Sequence, residues 1–217
     1  MPTFRGEEGL WKNYRAEDLA TPEAFARDPK LVWQWYDWRR GLINDIKPNP
    51  AHFALAELEK KFNNFEIVTQ NVDGLHTLAG STDVLTLHGD IWKVRCTECG
   101  TVTENRDVPI EILPYCKSIN KGDCNGLIRP HIVWFGEMLE EEVIGRAFRI
   151  ATECDIMFVI GTSGVVQPAA SLAGIAKGNG KNGGAYVVEI NMEETPLSPL
   201  CGATLLGKAG EIVPGFL

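Results

Sequence analysis

Residues 155–169 read DIMFVIGTSGVVQPA, and this stretch decides the fold. An apolar run of strand length, DIMFVI, stops at four small residues, Gly161-Thr162-Ser163-Gly164, and a helical pattern begins near Pro168. The run is continuous rather than alternating, as expected of a strand covered on both faces of a parallel sheet. FEIVT (65–69), DVLTL (83–87) and AYVVEI (185–190) repeat that character, and ATLLG (203–207) is a weaker candidate. Helical segments, notably EEEVIGRAFRIATE (140–153) and PAASLAGIAK (168–177), lie between them. Strands alternating with helices predict an α/β fold with a doubly wound parallel, Rossmann-like sheet.

The region before the first strand reads as helical. PEAFARDP has Thr21 as N-cap and Pro22 at the first helical position. A second helix is expected from near Asp28 to near Asn44, with Leu31, Trp35, Trp38 and Leu42 facing the core. Asn49-Pro50 opens a third, with Leu55, Leu58 and Phe62 on one face. The basic pairs Arg39-Arg40 and Lys60-Lys61 fall within helical patterns, where a bare charge pair reads as solvated surface.

The chain has 217 residues and a net charge of −8, which argues against a broad nucleic-acid face. No apolar run is long enough to cross a bilayer, and no charged-then-apolar signal stands at the start. A cytoplasmic protein is expected, and there six cysteines read as thiols or metal ligands rather than disulfides.

Four of those cysteines lie in residues 92–131, a stretch of turn residues with little periodicity that reads as a small inserted module. Cys96 and Cys99 are separated by two residues, and Cys116 and Cys124 by seven. Two such pairs can place four thiolates tetrahedrally around structural zinc, although the second spacing is wider than usual. A closed four-thiolate shell leaves no open position for a substrate. The expected division is a Rossmann-like domain over 1–91 and 132–217, with a helical insert at about 12–48, and a zinc module over 92–131.

In an open parallel sheet, ligands bind beyond the carboxyl ends of the strands. Here those ends carry Gln70-Asn71-Val72-Asp73-Gly74, His88-Gly89-Asp90, Gly161-Thr162-Ser163-Gly164, Asn191 and Lys208-Ala209-Gly210. The 161–164 turn suits a ribose or phosphate, or is simply a tight strand–helix turn. GNGKNG (178–183) matches G-x-G-x-x-G by letter but follows a helix and precedes a strand, the reverse of a dinucleotide fingerprint. His88 stands on the polar rim, as catalyst or bystander; His76 and His131 also neighbour polar loops.

TQNVDGLH (69–76), LHGD (87–90), the four-cysteine module, RPHIVWFGE (129–137), GTSGVVQPA (161–169) and VVEIN (187–191) stand in the order seen in sirtuins. The chain resembles a sirtuin, an NAD-dependent protein lysine deacylase, over nearly its whole length, and most of all the desuccinylase and demalonylase class. The resemblance implies that His88 is the general base acting on the ribose hydroxyls. It implies that Asn71 and Asp73 line the nicotinamide and ribose pocket, and that Gln70 contacts a ribose. Phe4 and Arg5 match the mobile cofactor loop. Gly161, Thr162, Ser163 and Asn191 match the adenosine side of the NAD site, with Ala209 also on the cofactor rim. Phe135, Gly136 and Glu137, with Val133 beside them, match the segment that pairs with the substrate backbone. The implied products are free lysine, nicotinamide and 2′-O-acyl-ADP-ribose; the implied partners are acyl-lysine proteins or peptides bound by a monomer.

Tyr36 and Arg39, three residues apart, fall on one helix face with Val32 and Ile43. An arginine fork beside a phenol suits a carboxylate at the end of an acyl chain. By itself the pair also reads as a packed tyrosine and a surface arginine; the resemblance matches it to the Tyr-x-x-Arg of desuccinylases. One departure stands out. The family carries a first strand and a Gly-Ala-Gly turn before MPTFRGEEGLW, and this sequence reads as an N-terminally truncated member. Either it starts at a wrong or internal Met or comes from a partial gene, the preferred reading, or the protein is a natural truncation. Weaker NAD binding and an exposed strand position are the expected consequences, and a catalytically impaired acyl-peptide or NAD-metabolite binding module is the alternative reading. The end, EIVPGFL, looks short of a full final helix.

Overall fold

The computed structural model describes residues 15–117, 124–179 and 183–217. In chain order the helical region comprises α1 (Ala16–Leu19), α2 (Pro22–Arg27), α3 (Pro29–Asn44) and α4 (Pro50–Lys61). Then come β1 (Ile67–Thr69), α5 (Leu75–Leu78), β2 (Val84–Thr86), β3 (Gly89–Cys96), β4 (Val102–Glu104) and β5 (Ile128–Ile132). The remainder is α6 (Glu141–Glu153), β6 (Ile156–Ile160), α7 (Ser171–Asn179), β7 (Tyr186–Asn191), β8 (Ala203–Leu206) and α8 (Ala209–Ile212), closed by a 3-10 turn at Val213–Phe216. No helix among the described residues is long and apolar enough to cross a membrane.

The chain divides into two compact units. The first holds the residues up to Lys47, Asn71–Gly74 and His88–Leu139. Its helices begin where side chains satisfy otherwise open amides. The Thr21 hydroxyl accepts from the Ala24 amide at 3.1 Å, and the Asp28 carboxylate accepts from the Leu31 amide at 3.0 Å. Its sheet is antiparallel in the order β4-β3-β5. One core joins helices and sheet: Phe25, Val32, Trp33, Trp35 and Tyr36 pack with Ile91, Trp92, Val94 and Trp134.

The buried face of α3 differs from the expected one. Trp35 is buried and Leu31 and Trp38 pack at the margin, but Leu42 is 41% exposed, and Val32, Trp33, Tyr36, Arg40 and Ile43 are inside. Two overlapping apolar stripes exist on this helix, and the core covers the one through Val32, Trp33, Tyr36 and Ile43. Arg40 is not solvated surface. It is 1% exposed, donates to both the backbone and side-chain oxygens of Asn105, and lies 5.2 Å from the Trp92 ring.

The second unit holds Pro48–Gln70, Leu75–Leu87 and Glu140–Leu217. All five expected strands form, and all their pairings are parallel. They make two sheets, β1-β2 and β6-β7-β8, rather than one continuous sheet among the described residues. β7, the central strand, is buried along Val187–Ile190 as a doubly covered strand should be. β6 is not covered on both faces: Ile156 and Phe158, on one face, are 57% and 40% exposed. α4 packs Ala51 and Ala54 against Val188, Ile190 and Val213. Leu58 is buried as expected, whereas Phe62 caps the helix in extended conformation and is exposed.

Candidate active site

In the first unit, β3 organises the polar residues. Gly89 opens it with φ +84°, and a Cβ there would lie 2.1 Å from the His131 carbonyl oxygen. Only glycine lets β3 approach β5 this closely, and the approach holds His88 in the turn just before. The His88 carbonyl accepts from the Val133 amide at 2.9 Å, which ties it to the chain leaving β5. On the other side, the Ile91 amide donates to the Val72 carbonyl and the Trp92 indole to the Asp73 carbonyl, at 2.9 and 2.8 Å. His88, Asn71, Asp73 and Val133 are thereby gathered about one strand end. Asp73 is buried, His88 half-buried and Asn71 exposed. His76 differs in kind: it stacks on His52 with ring centroids 4.7 Å apart, and burial pushes it down to about 4, so it stays neutral.

The segment after β5 is held from beneath. The buried Arg129 forks onto both carboxylate oxygens of Glu137 at 2.6 and 2.9 Å, and stacks 3.4 Å from the Trp134 ring centroid. The Glu137 carboxylate also accepts from the Trp134 amide at 2.8 Å. Burial would raise the Glu137 pKa, but these hydrogen bonds outweigh it and hold the carboxyl below its ordinary value. The Phe135 amide donates to Ala20 and the Glu137 amide to Trp134. With Val133 bonded to His88, these three N–H groups are committed within the unit. Phe135 and Gly136 are exposed.

Trp134 connects this segment to α3. Its indole N–H donates to the Tyr36 hydroxyl at 2.9 Å. Tyr36 is 3% exposed, and burial pushes its pKa up to about 12. The phenol therefore keeps its own proton to donate. Arg39 is half-buried, its guanidinium 5.0 Å from the Trp35 ring, and burial lowers its pKa. A guanidinium stacked on an indole is oriented before any anion arrives.

The second unit holds a separate recess of about 320 Å³. It is lined by Gly161, Thr162, Ser163, Asn191, Glu193, Glu194, Thr195 and Pro196. The turn after β6 takes φ +61° at Gly161 and +67° at Gly164. The Gln70 amide donates to the Thr162 hydroxyl at 3.1 Å, and the Asn191 side-chain amide donates to the Thr162 carbonyl at 2.8 Å. Ends of three strands thus meet at Thr162. Ala209 does not line the recess; it packs with Ile212 against the α4 cluster. Phe4 and Arg5 lie outside the described residues.

The four module cysteines converge. All their sulfurs lie within 4.8 Å of one another, with Cys96 to Cys124 at 3.7 Å and Cys99 to Cys116 at 3.8 Å. Four thiolates about 2.3 Å from one zinc stand roughly 3.8 Å apart in a tetrahedron, so the set fits a closed structural site. The wide spacing between Cys116 and Cys124 is no obstacle, since β5 returns the chain alongside β3.

Sequence reasoning missed Arg129, Trp134, Arg40 and the Glu193–Pro196 wall. Arg129 and Trp134 sit inside a motif singled out for other residues, and nothing local marks either as a support.

A parallel α/β unit with a polar recess at its strand ends, beside a four-thiolate module, defines the class of an α/β nucleotide-binding protein with a site for a structural metal. Residues 1–168 match the Sir2 family, and the chain belongs to it. It is 50% identical to the NAD-dependent protein deacylase of Aquifex aeolicus over 96% of this chain and 84% of that protein. The NAD-dependent protein deacylase 2 of Pyrobaculum aerophilum is 49% identical over 99% and 82%. Among solved structures, a Sir2 homologue–NAD complex matches with a TM-score of 0.87 at 49% identity, covering 99% of this chain and 80% of that one. A Sir2 protein bound to acetylated peptide matches with a TM-score of 0.78 at 31% identity, covering 90% and 80%.

Proposed function

We propose that this NAD-dependent protein deacylase of the Sir2 family removes acidic acyl groups, succinyl or malonyl, from protein lysines, and acetyl more weakly. The observation that carries the preference is the Tyr36–Arg39 pair: a protonated buried phenol and a stacked guanidinium one helical turn apart. Together they offer a carboxylate one neutral and one charged donor, whereas a terminal methyl gains nothing from either.

NAD, when bound, supplies the ribose that accepts the acyl group and the nicotinamide that leaves. Gly161, Thr162, Ser163 and Asn191 hold its adenosine side, Gln70 contacts a ribose, and Asn71 and Asp73 line the nicotinamide and ribose pocket. His88 takes the proton from a ribose hydroxyl, a task suited to an imidazole nitrogen. Val133, Phe135, Gly136 and Glu137 present the peptide, with Arg129 fixing the segment through Glu137. Cys96, Cys99, Cys116 and Cys124 hold zinc as a structural ion, away from the reaction. The proposal includes a monomer in the cytoplasm, without nucleic-acid partners, and an NAD-binding part (1–91 and 132–217) distinct from a zinc module (92–131). No observation favours the binding-module alternative.

The test is NAD-dependent turnover of acetyl-, malonyl- and succinyl-lysine peptides, followed by mass spectrometry, with His88→Ala as control. Faster formation of acyl-ADP-ribose from the acidic acyl groups, lost in a folded His88→Ala variant, is the expected result. Equal or faster acetyl turnover would remove the acyl preference; an active His88→Ala would remove the base.

A further inference from the structure

Glu189 lies in the middle of β7 and is fully buried, flanked by Val187, Val188 and Ile190. The resemblance assigns it no task. A carboxylate in such a place is costly unless its oxygens are hydrogen-bonded. Both are bonded. One oxygen accepts from the Thr195 hydroxyl and the other from the Ser198 hydroxyl. Two hydroxyls with one proton each match the two carboxylate oxygens.

The same hydroxyls also accept. Thr195 Oγ1 takes the Leu197 amide at 3.1 Å, and Ser198 Oγ takes the Thr195 amide at 2.8 Å. The loop after β7 therefore turns back around a single carboxylate. That return sets Thr195 and Pro196 as a wall of the recess, beside Glu193, Glu194 and the Thr162 turn. It also presses Leu197 against Gly164, where a Cβ would lie 2.8 Å from Leu197 Cγ.

We propose that Glu189 is a positioning residue for NAD: it touches no substrate, and it fixes the loop that walls the adenosine side of the recess. This rests on reading the recess as an NAD site. Neutralising Glu189 leaves one hydroxyl without its acceptor, and the loop loses its anchor while β7 keeps its backbone pairing with β6 and β8.

The experiment compares wild type, Glu189→Gln, Ser198→Ala and the double variant. ADP-ribose affinity is measured by calorimetry, KM and kcat are measured for NAD and for an acyl peptide, and Tm is recorded. Ser198 is outside the recess lining and reaches it only through Glu189 and Thr195. Each single variant should weaken ADP-ribose and raise the NAD KM by about three- to tenfold, with kcat and peptide KM within about twofold. The double variant should be little worse than either single one, because both remove the same anchor. Unchanged ADP-ribose affinity in the folded variants, or an equal loss on NAD and peptide, overturns the proposal. Should Glu189→Gln not fold, Ser198→Ala decides it by the same readouts. A wild-type protein that binds no ADP-ribose would instead sink the NAD reading of the recess, and this proposal with it.

Discussion

The Trp134 indole N–H donates to the Tyr36 hydroxyl at 2.9 Å, so the segment after β5 and the helix α3 share one buried hydrogen bond. Both residues are buried, 2% and 3% exposed. Tyr36→Phe leaves the indole N–H without its acceptor and should cost about 1–3 kcal/mol. Chemical denaturation would show it as a lower midpoint with unchanged slope.

The same burial bears on pH. With its pKa pushed up to about 12, the Tyr36 phenol is neutral throughout the working range. The neutral form donates to an acyl carboxylate and the phenolate does not. The ratio of succinyl to acetyl kcat/KM should therefore stay nearly flat from roughly pH 7 to 10.5, although an ordinary tyrosine is half ionised near 10. A ratio that has fallen by half or more by about pH 10.5 would show that the phenol titrates normally.

Arg39 is expected to carry acyl choice rather than stability. Arg39→Met keeps a long apolar stem on Trp35 and removes the charge. A charge-assisted hydrogen bond contributes about 1.5–3 kcal/mol, so succinyl and malonyl turnover should fall about ten- to a hundredfold. Acetyl turnover should hold within about twofold. Equal losses on all three peptides would make Arg39 a structural residue.

The Arg129–Glu137 pair predicts an acid limit. Glu137 in the fold sits below its ordinary pKa. A depressed carboxylate contributes stability above its unfolded pKa and loses it as pH falls through the folded one. Glu137→Gln should destabilise at neutral pH by about 2–4 kcal/mol, since Arg129 is then buried without its charge partner. The gap between wild type and variant should close as pH drops from about 5 toward 2. Stability curves that stay parallel to the acid end would contradict it.

Zinc can be tested without an assay of turnover. Purified protein should carry about one zinc per chain, and Cys116→Ser or chelation should remove it. Proteolysis should then cut first in the segments that carry the four cysteines, because the sheet itself stays tied to α2 and α3 through their shared core. Full metal content in Cys116→Ser would mean that the four sulfurs are not the site.

The sequence by itself determined several local features that depend on neighbours in the chain. Thr21, Asp28 and Asn49 cap their helices because a side chain can reach an open amide two or three residues on. The five apolar runs become strands, and the ordered motifs establish the Sir2 family. Tertiary structure decided what depends on packing partners far along the chain. α3 offered two overlapping apolar stripes, and only the sheet chose Tyr36 and Arg40 over Leu42. Arg40 meets Asn105 across 65 positions, Tyr36 meets Trp134 across 98, and no spacing rule reports either. Glu189 reads as one charge in an apolar strand until the loop returns two hydroxyls to it. Periodicity and capping are short-range physics and are written in order; the burial of a polar group is settled only where another part of the chain arrives to satisfy it.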